Sequence, residues 1–196
     1  MYNLFKEEVV LENNRVKLVP FSKKYEGELR KIIIDEDILF TVNCKTTEDV
    51  THYVEKMLVK RHENVLYPFI IIDKLTHVVA GSTSFGHIHP DNKRLEIGWT
   101  WYGRSFRGSG LNKACKFELL KFAFEQMLFR RVQLSADIDN IRSQKAILKL
   151  GATREGLFRS NYINELGESR DDVYFSMVHT EWEAIKANNF SEFLLV

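Results

Sequence analysis

Several short stretches of the chain alternate apolar and polar residues. The segments "RVKLVPF" and "RRVQLSAD" show this period of two most clearly. Successive side chains of a strand point to opposite faces of a sheet, so the alternation predicts strands with one buried face. Together with the apolar run "YPFIIID", such patterns predict seven strands, at residues 15–21, 67–73, 77–88, 94–102, 130–137, 152–163 and 168–179.

Other stretches repeat apolar residues every three or four positions, which predicts helices. In "TTEDVTHYVEKMLVKRHEN", Val50, Val54 and Met57 follow this spacing after a threonine N-cap. Further helices are predicted at 22–35, from the glycine-rich stretch to about Met127, at 140–151 and at 180–189. The order β α α β β β α β α β β, with a terminal helical piece, predicts an α+β fold. We expect a mostly antiparallel mixed central sheet of about seven strands, flanked by helices.

Composition narrows the class of protein. The chain has 196 residues, 44% hydrophobic and 28% charged, and a formal net charge of +1. This balance gives no electrostatic reason to expect nucleic acid or a membrane as partner. The acidic N-terminal stretch resembles no signal peptide, and no apolar run reaches the length of a bilayer span. We therefore expect one domain over residues 1–196, its last ten or so residues a tail, in a soluble cytoplasmic protein.

The stretch "YGRSFRGSGLNKACKFELL" (residues 102–120) carries the strongest chemical signal. Three glycines and two arginines lie where a strand passes into a helix, and free N–H groups at a helix start bind anions. A Walker A loop is absent, and "GSGLNK" lacks the third glycine of a dinucleotide-binding loop. The acyl-CoA pattern R/Q-x-x-G-x-G/A fits at Arg107 and Gly110, but Asn112 replaces its final small residue. A glycine-rich connection without a ligand remains the alternative.

The neighbouring segments resemble one family together. "LEIGWTWYGRSFRGSGLNKACKFELLKFAFE" is similar to the fourth strand and pyrophosphate-loop helix of the GNAT N-acetyltransferases, and "NRVKLVPF" to their opening strand. "ADIDNIRSQKAILKLGATREGLFR" and "RDDVYFSMVHTEW" resemble motifs of the RimJ/RimL-like branch. These segments span nearly the whole chain in the family's order. The resemblance implies a three-layer GNAT-like fold and an acetyl-CoA-dependent N-acetyltransferase.

The resemblance also implies how acetyl-CoA, as co-substrate, is held. The pyrophosphate would lie on backbone amides of the glycine-rich turn, contributed by Arg107, Gly108, Ser109, Gly110, Leu111 and Asn112. Because the fourth strand of this fold splays from the fifth, the backbone of Thr100, Trp101 and Tyr102 would contact the pantetheine arm. Asn140 is expected at the pantetheine amides, although a helix N-cap is its alternative role. Lys145 is expected at a CoA phosphate, with a solvated helix face as alternative.

Two residues are candidates for the chemistry. Alternation along "RLEIGWTWY" puts Glu96 on one face with Gly98, Thr100 and Tyr102, next to the expected thioester, so Glu96 is the candidate base. The alternative is that Glu96 is a sheet-surface residue paired with an Arg or Lys. An amide near Thr100 would stabilise the developing oxyanion. By resemblance, Ser143 serves the departing thiolate as a hydrogen-bond donor.

The resemblance implies that the acceptor is an amine, either a protein N-terminus or a small molecule, and the composition does not choose between them. Arg159 and Tyr162 are expected in the acceptor groove. His87 and His89 lack a third ligand with metal-binding spacing, so we expect no metal. A homodimer stays open, because the apolar end "FLLV" could pack on a partner or on its own domain. The alternative function is a non-catalytic acyl-CoA-binding or sensing module of the same fold.

Overall fold

A computed structural model describes residues 4–33, 42, 44–164 and 166–194. Its strands form one sheet in the order β1-β2-β3-β4-β5-β6-β8-β7. The strands are β1 (Leu11–Glu12), β2 (Val16–Pro20), β3 (Leu66–Asp73), β4 (Val78–His89), β5 (Arg94–Tyr102), β6 (Arg131–Asp137), β7 (Thr153–Ile163) and β8 (Ser169–Val178). Only the β5–β6 pair is parallel among the described strands. The predicted mixed, mostly antiparallel sheet is confirmed, and the short β1 is the strand that the sequence patterns missed.

Five α-helices flank the sheet in the described part of the chain: α1 (Glu26–Ile33), α2 (Thr47–His62), α3 (Leu111–Lys121), α4 (Ile141–Lys149) and α5 (Trp182–Asn189). A π-helical turn, Phe122–Gln126, continues α3, so the helical segment ends next to Met127, where the sequence predicted its end. Thr46 caps α2 through a reciprocal pair of hydrogen bonds with Asp49. Residues 34 and 35, expected at the end of α1, lie outside the described residues.

The helices bury two separate apolar cores. On one face of the sheet, α3 and α5 pack over a large cluster that includes Leu95, Ile97 and Phe117. On the other face, α1 and α2 pack over a smaller cluster that contains Trp101. At the C-terminus, Phe190 is fully buried and Phe193 stacks on Phe117 with a centroid distance of 5.2 Å. The described end of the expected tail therefore packs back on its own domain; Leu195 and Val196 lie outside the described residues.

A bulge in β5 changes which faces its side chains occupy. Gly98 pairs with Ser84, but Trp101 pairs with Ser82, so β5 holds one residue more than β4 over this interval. Trp99, in the bulge, has φ of 51°. As a result Thr100 and Tyr102 face α3, on the same side as Leu95 and Ile97, whereas Glu96 faces the other way. The simple alternation, which put Glu96 and Thr100 on one face, was wrong because it assumed an unbroken strand.

Candidate active site

The parallel strands β5 and β6 pair only at their starting ends. The three pairs are Arg94 with Arg131, Leu95 with Val132 and Glu96 with Gln133. Beyond Glu96 the described residues of the two strands form no further pairs with each other, and a cleft opens between residues 97–102 and 134–137. The expected splay is thus present. It leaves edge groups of β5 free to bind an extended chain.

The glycine-rich turn lies between the end of β5 and α3. The first intrahelical bond of α3 runs from the Ala114 amide to Gly110 O. In the described part of the chain, the backbone N–H groups of residues 108–110, Asn112 and Lys113 have no acceptor. Five free donors near a helix start form a suitable anion site, because the helix dipole adds positive potential there.

The conformation of this turn depends on two of its glycines. Gly108 and Gly110 have φ of 73° and 83°, in the left-handed region that favours glycine. A Cβ atom built on either residue would meet no atom within 4 Å. The space beside both glycines is therefore open and can admit a phosphate close to the backbone. The residues present fit the pyrophosphate of acetyl-CoA.

The side chains around the turn brace it from within. The backbone amide of Arg107 donates to Arg104 O, and the side-chain Nε of Arg107 donates to Tyr102 O at 3.1 Å. Asn112 accepts a hydrogen bond from the Tyr102 hydroxyl at 3.2 Å, so the residue that departs from the acyl-CoA pattern ties α3 to β5. Ser109 Oγ donates to Phe106 O at 2.7 Å. Leu111 is fully buried, as is the Trp101 side chain, so only their backbone groups are open to a ligand.

A buried lysine lies under the bulge of β5. Lys116 Nζ donates to Thr100 Oγ1 at 2.7 Å, and Thr100 Oγ1 lies 2.8 Å from Thr83 Oγ1. Burial lowers the pKa of Lys116 to about 8, although the charges of Cys115 and Glu96 act in the opposite direction. The bulge thus rests on a hydrogen-bonded cluster connecting β4, β5 and α3.

Glu96 occupies the point where β5 and β6 separate, and only 4% of its surface is exposed. Its Oε2 accepts hydrogen bonds from Gln133 Nε2 at 2.8 Å and His87 Nδ1 at 2.9 Å. Its Oε1 accepts from Ser135 Oγ at 3.2 Å. A Cβ atom on Gly98 would lie 3.4 Å from Oε1, so the missing side chain leaves room at this oxygen. Glu96 is paired with a histidine rather than with the Arg or Lys of its alternative role.

Across the cleft, the start of α4 carries the other predicted residues. Asn140 Oδ1 accepts from the Ser143 amide at 3.1 Å, so Asn140 caps α4. The Ser143 hydroxyl has no hydrogen-bond partner among the described residues and lies half-buried. Lys145 is exposed on the same helix. The contacts of Asn140 and Lys145 with CoA, and the hydrogen bond from Ser143 to the leaving thiolate, therefore remain predictions.

The two predicted acceptor residues lie on β7 and behave differently. Tyr162 donates to Asp137 Oδ2 at 2.6 Å, and Arg170 binds the same carboxylate through two nitrogens at 2.8 and 2.9 Å. Arg170 lowers the pKa of Asp137 to about 2. Tyr162 thus belongs to an ion-pair cluster, while Arg159 is exposed and has no partner in the described part of the chain.

Four residues that the sequence patterns did not assign to the site join it here: His87, Lys116, Gln133 and Ser135. Gln133 and Ser135 lie on the polar face of the predicted strand "RRVQLSAD", which was the available signal. Lys116 lies between Cys115 and Phe117 among the buried residues of α3, and a buried lysine needs a partner, but its sequence neighbours do not reveal that burial. His87 had no local signal, since its link to Glu96 depends on the pairing of β4 with β5.

Two general observations complete the description. Among the described residues, no three His, Cys, Asp or Glu side chains come together in a way that could hold a metal ion. None of the described helices is both long and apolar enough to cross a bilayer.

Comparisons with known proteins agree on the family. The family profile described as "Acetyltransferase (GNAT) domain" matches residues 15–153. The Bacillus subtilis (strain 168) protein named "Putative ribosomal N-acetyltransferase YdaF" is 32% identical over 109 residues, or 55% of this chain and 58% of that protein. The chain thus spans little more than half the length of this relative. Its name agrees with the RimJ/RimL-like branch that the motifs predict.

Solved structures share the fold. A "putative acetyltransferase" from T. thermophilus has a TM-score of 0.86 and 30% identity, with 98% of this chain and 99% of that chain covered. Another "putative acetyltransferase" has a TM-score of 0.85 and 32% identity, with 95% and 93% covered. The profile covers more than half of the chain, and its motifs occur in the family's order. The chain belongs to the GNAT family of acetyltransferases.

Proposed function

We propose that this protein transfers the acetyl group of acetyl-CoA to a primary amine by direct attack within a ternary complex. One observation carries the proposal. A single cleft, opened by the separation of β5 from β6, has a turn of free amides at one end and the carboxylate of Glu96 at the other. The first feature suits a pyrophosphate, and the second suits an ammonium group.

Acetyl-CoA would be held mainly by backbone. The free amides at residues 108–110, Asn112 and Lys113 would receive the pyrophosphate, with Lys145 near a phosphate. Asn140 would reach the pantetheine arm through its Nδ2, because its Oδ1 caps α4. The edge of β5 around Thr100–Tyr102 would bind the arm as an added strand. When bound, acetyl-CoA supplies the activated acetyl group, and the protein supplies position and proton transfer.

The surface beside Glu96 suits a cationic acceptor. Asp172 and Tyr174 on β8 are half-buried on the same face of the sheet as Glu96. Burial raises the pKa of Asp172, and the charges of Asp137 and Glu96 add to this effect. Asp137 is neutralised by Arg170, but among the described residues the Asp172 side chain has only the amide of Asn161, at 2.9 Å. An ammonium group would relieve the remaining negative charge of this surface.

Protein N-termini are the acceptor class that we favour. The support is the name of the B. subtilis relative, which refers to ribosomal N-acetylation, together with the motifs of the RimJ/RimL-like branch. Arg159, exposed on β7 without a partner in the described chain, would meet an acidic or carbonyl group of a peptide. Small amines are the competing acceptor class, and the same surface would bind them through fewer contacts.

The catalytic roles follow from position. The ammonium must lose a proton before attack, and Glu96 supplies the negative charge that draws this proton toward the cleft. Ser143, whose hydroxyl has no partner in the described part of the chain, would donate a hydrogen bond to the departing thiolate. The amide near Thr100 would stabilise the oxyanion, and Lys116 would hold Thr100 in place.

Thiol release from acetyl-CoA tests the proposal. We expect release with peptides that begin with a free amino group, and acetylation of that group by mass spectrometry. Polyamines and amino acids serve as the small-amine arm, and N-terminally blocked peptides as control. Glu96→Gln should lower the rate and leave acetyl-CoA affinity intact. Tight acetyl-CoA binding without release on any acceptor would instead support a sensing module.

A further inference from the structure

We propose that the imidazole of His87, rather than the carboxylate of Glu96, takes the proton of the acceptor ammonium, while Glu96 orients the ring. This inference rests on the proposed acetylation of an amine. It assigns to the site a catalytic residue from β4, the strand next to β5, that no sequence motif identified.

The carboxylate of Glu96 is poorly placed to act alone. Its side chain is 6% exposed, and its two oxygens already accept three hydrogen bonds. The amide nitrogen of Gln133 can only donate, so a proton on Oε2 would face donors instead of acceptors. Burial and these hydrogen bonds therefore leave the carboxylate of Glu96 little contact with solvent or with an approaching ammonium group.

The imidazole of His87 has the opposite character. Its side chain is 56% exposed, although Nδ1 is hydrogen-bonded to the buried carboxylate of Glu96. An ionised carboxylate can only accept hydrogen bonds, so Nδ1 of His87 must carry a hydrogen. In the neutral ring Nε2 then keeps its lone pair. Nε2 has no hydrogen-bond partner among the described residues, so it is open to the acceptor, directly or through one water molecule.

Packing and backbone fix the ring in this place. The imidazole lies edge-on to the indole of Trp99, with 5.5 Å between the centroids. His87 and Trp99 both have positive φ, 44° and 51°, and each lies in an irregular part of its strand. Such conformations are unfavourable for residues other than glycine and concentrate at functional sites. Two neighbouring irregularities bring the two rings together beside Glu96.

The charges around His87 favour its protonated form. Its pKa is raised chiefly by the hydrogen bond to Glu96, against desolvation and the positive charge of Arg94. Glu96 and Arg94 are the charged groups of the described chain whose fields act on the ring, and both lie on β5. A buried carboxylate that holds Nδ1–H and stabilises the imidazolium is the arrangement by which serine hydrolases make histidine a base.

The proposed step balances as follows. His87 Nε2 takes one proton from the ammonium, and the free amine nitrogen attacks the thioester carbonyl carbon. The new C–N bond forms, the C–S bond breaks, and the electron pair leaves on sulfur. The nitrogen's second proton goes to the thiolate, giving the amide and free CoA thiol. The imidazolium then releases its proton to solvent, which restores the base.

The test compares His87→Ala, His87→Asn and Glu96→Gln with the wild type, on a peptide whose free amino group the wild type acetylates. Asparagine tolerates the left-handed conformation, so His87→Asn guards against misfolding. His89→Gln, on an exposed residue two positions away, is the matched control. Acetyl-CoA affinity, measured by calorimetry, should be unchanged in all four variants.

We expect both His87 variants to lose about 10²- to 10⁴-fold in kcat/KM, the usual range for a general base. Free imidazole in the buffer should restore part of the activity of His87→Ala. The wild-type kcat/KM should fall at low pH with a midpoint above the ordinary histidine pKa. In Glu96→Gln this midpoint should move to lower pH.

Three outcomes overturn the inference. The first is wild-type kcat/KM in both His87 variants. The second is a loss in these variants that imidazole does not restore, combined with an unchanged pH midpoint in Glu96→Gln. Both leave the proposed acetylation standing. If the wild type releases no thiol with any amine probe, the proposed function fails and the inference fails with it.

Discussion

Lys116 Nζ lies 2.7 Å from Thr100 Oγ1, directly under the bulge that redirects β5 toward the cleft. The lysine is 5% exposed, and its pKa is lowered to about 8 because burial disfavours the charged form. A charged group in such a place weakens the fold unless its partners compensate. The cluster thus gives up stability to hold Thr100, the residue whose backbone we expect near the thioester.

Replacing this lysine should stabilise the protein in a pH-dependent way. Between about pH 8 and 10.5 the unfolded chain binds the proton that the folded chain has lost, so wild-type stability rises with pH in this window. Below pH 8 the full cost of the buried charge is present. We expect Lys116→Met to raise the free energy of unfolding at pH 7 by up to roughly 3 kcal/mol, and by less at pH 10.

Urea denaturation of the wild type and Lys116→Met at the two pH values measures this difference. Lys149→Met, which removes a lysine from an exposed position of α4, is the matched control. A destabilised Lys116→Met at pH 7 would mean that the hydrogen bonds to Thr100 and Thr83 outweigh the cost of desolvation.

Gly110→Ala should weaken acetyl-CoA binding at least tenfold. The new Cβ would occupy the open space beside the free amides, where the pyrophosphate is expected. The matched control is Gly167→Ala in the turn between β7 and β8, because Gly167 has φ of 79° and equally open surroundings. Both variants should lose about 1 kcal/mol of stability from the left-handed conformation. Equal acetyl-CoA affinity in the two variants, measured by calorimetry, would place the pyrophosphate elsewhere.

Ser143→Ala should separate catalysis from helix capping. The Ser143 amide, not its hydroxyl, binds Asn140 Oδ1, so removal of the hydroxyl leaves the cap intact. We expect kcat to fall about tenfold or more, with little change in melting temperature. Asn140→Ala removes the N-cap of α4, so it should lower the free energy of unfolding by about 1 kcal/mol. An unchanged kcat in Ser143→Ala would remove this residue from the reaction.

The cluster around Asp137 should make stability sensitive to acid. Arg170 holds the pKa of Asp137 at about 2, below its ordinary 3.8. The contribution of the Asp137–Arg170 ion pair to the free energy of unfolding is therefore fully present above about pH 4 and is lost as the pH falls to 2. Arg170→Met removes the cation beside the buried Asp137 carboxylate, to which Tyr162 still donates, so it should lower the free energy of unfolding at pH 7 by several times the cost of Asp139→Asn. Asp139 is an exposed partner of Arg170, and its replacement should cost at most about 1 kcal/mol.

Urea denaturation of both variants between pH 7 and pH 2 measures this effect. The difference between Arg170→Met and the wild type should shrink toward pH 2, because protonation of Asp137 removes the charge that the arginine stabilises. Denaturation curves in which this difference does not depend on pH would contradict the assigned ion pair.

Local patterns were sufficient for the elements of this fold. The alternation in β6, the helical spacing in α2 and the left-handed Gly151 after α4 each depend on residues close in sequence. The two-residue strand β1 was too short to produce a pattern, and its pairing with β2 exists only because the chain folds back there. The order of the eight strands in the sheet depends on pairings between residues distant in sequence, so periodicity does not predict it.

The active-site geometry needed contacts between distant residues. The bulge at Trp99 is visible only when β5 is aligned with β4, and it reverses the face of Thr100 relative to Glu96. His87 meets Glu96 because their strands are neighbours, nine positions apart in sequence. Lys116 meets Thr100 because α3 crosses under β5. None of these pairs has a signature at short range.

By itself the sequence determined the order of strands and helices, the glycine-rich turn and the family to which the chain belongs, since these depend on local periodicity, on backbone freedom at glycine and on ordered motifs. Only the tertiary structure decided which side chains share the cleft, because one inserted residue in a strand turns every later side chain to the opposite face. Because of that single displacement, Thr100 contacts Lys116 on one face of β5 and Glu96 contacts His87 on the other. The proposed support of the cofactor and the proposed proton transfer therefore lie on opposite faces of the strand.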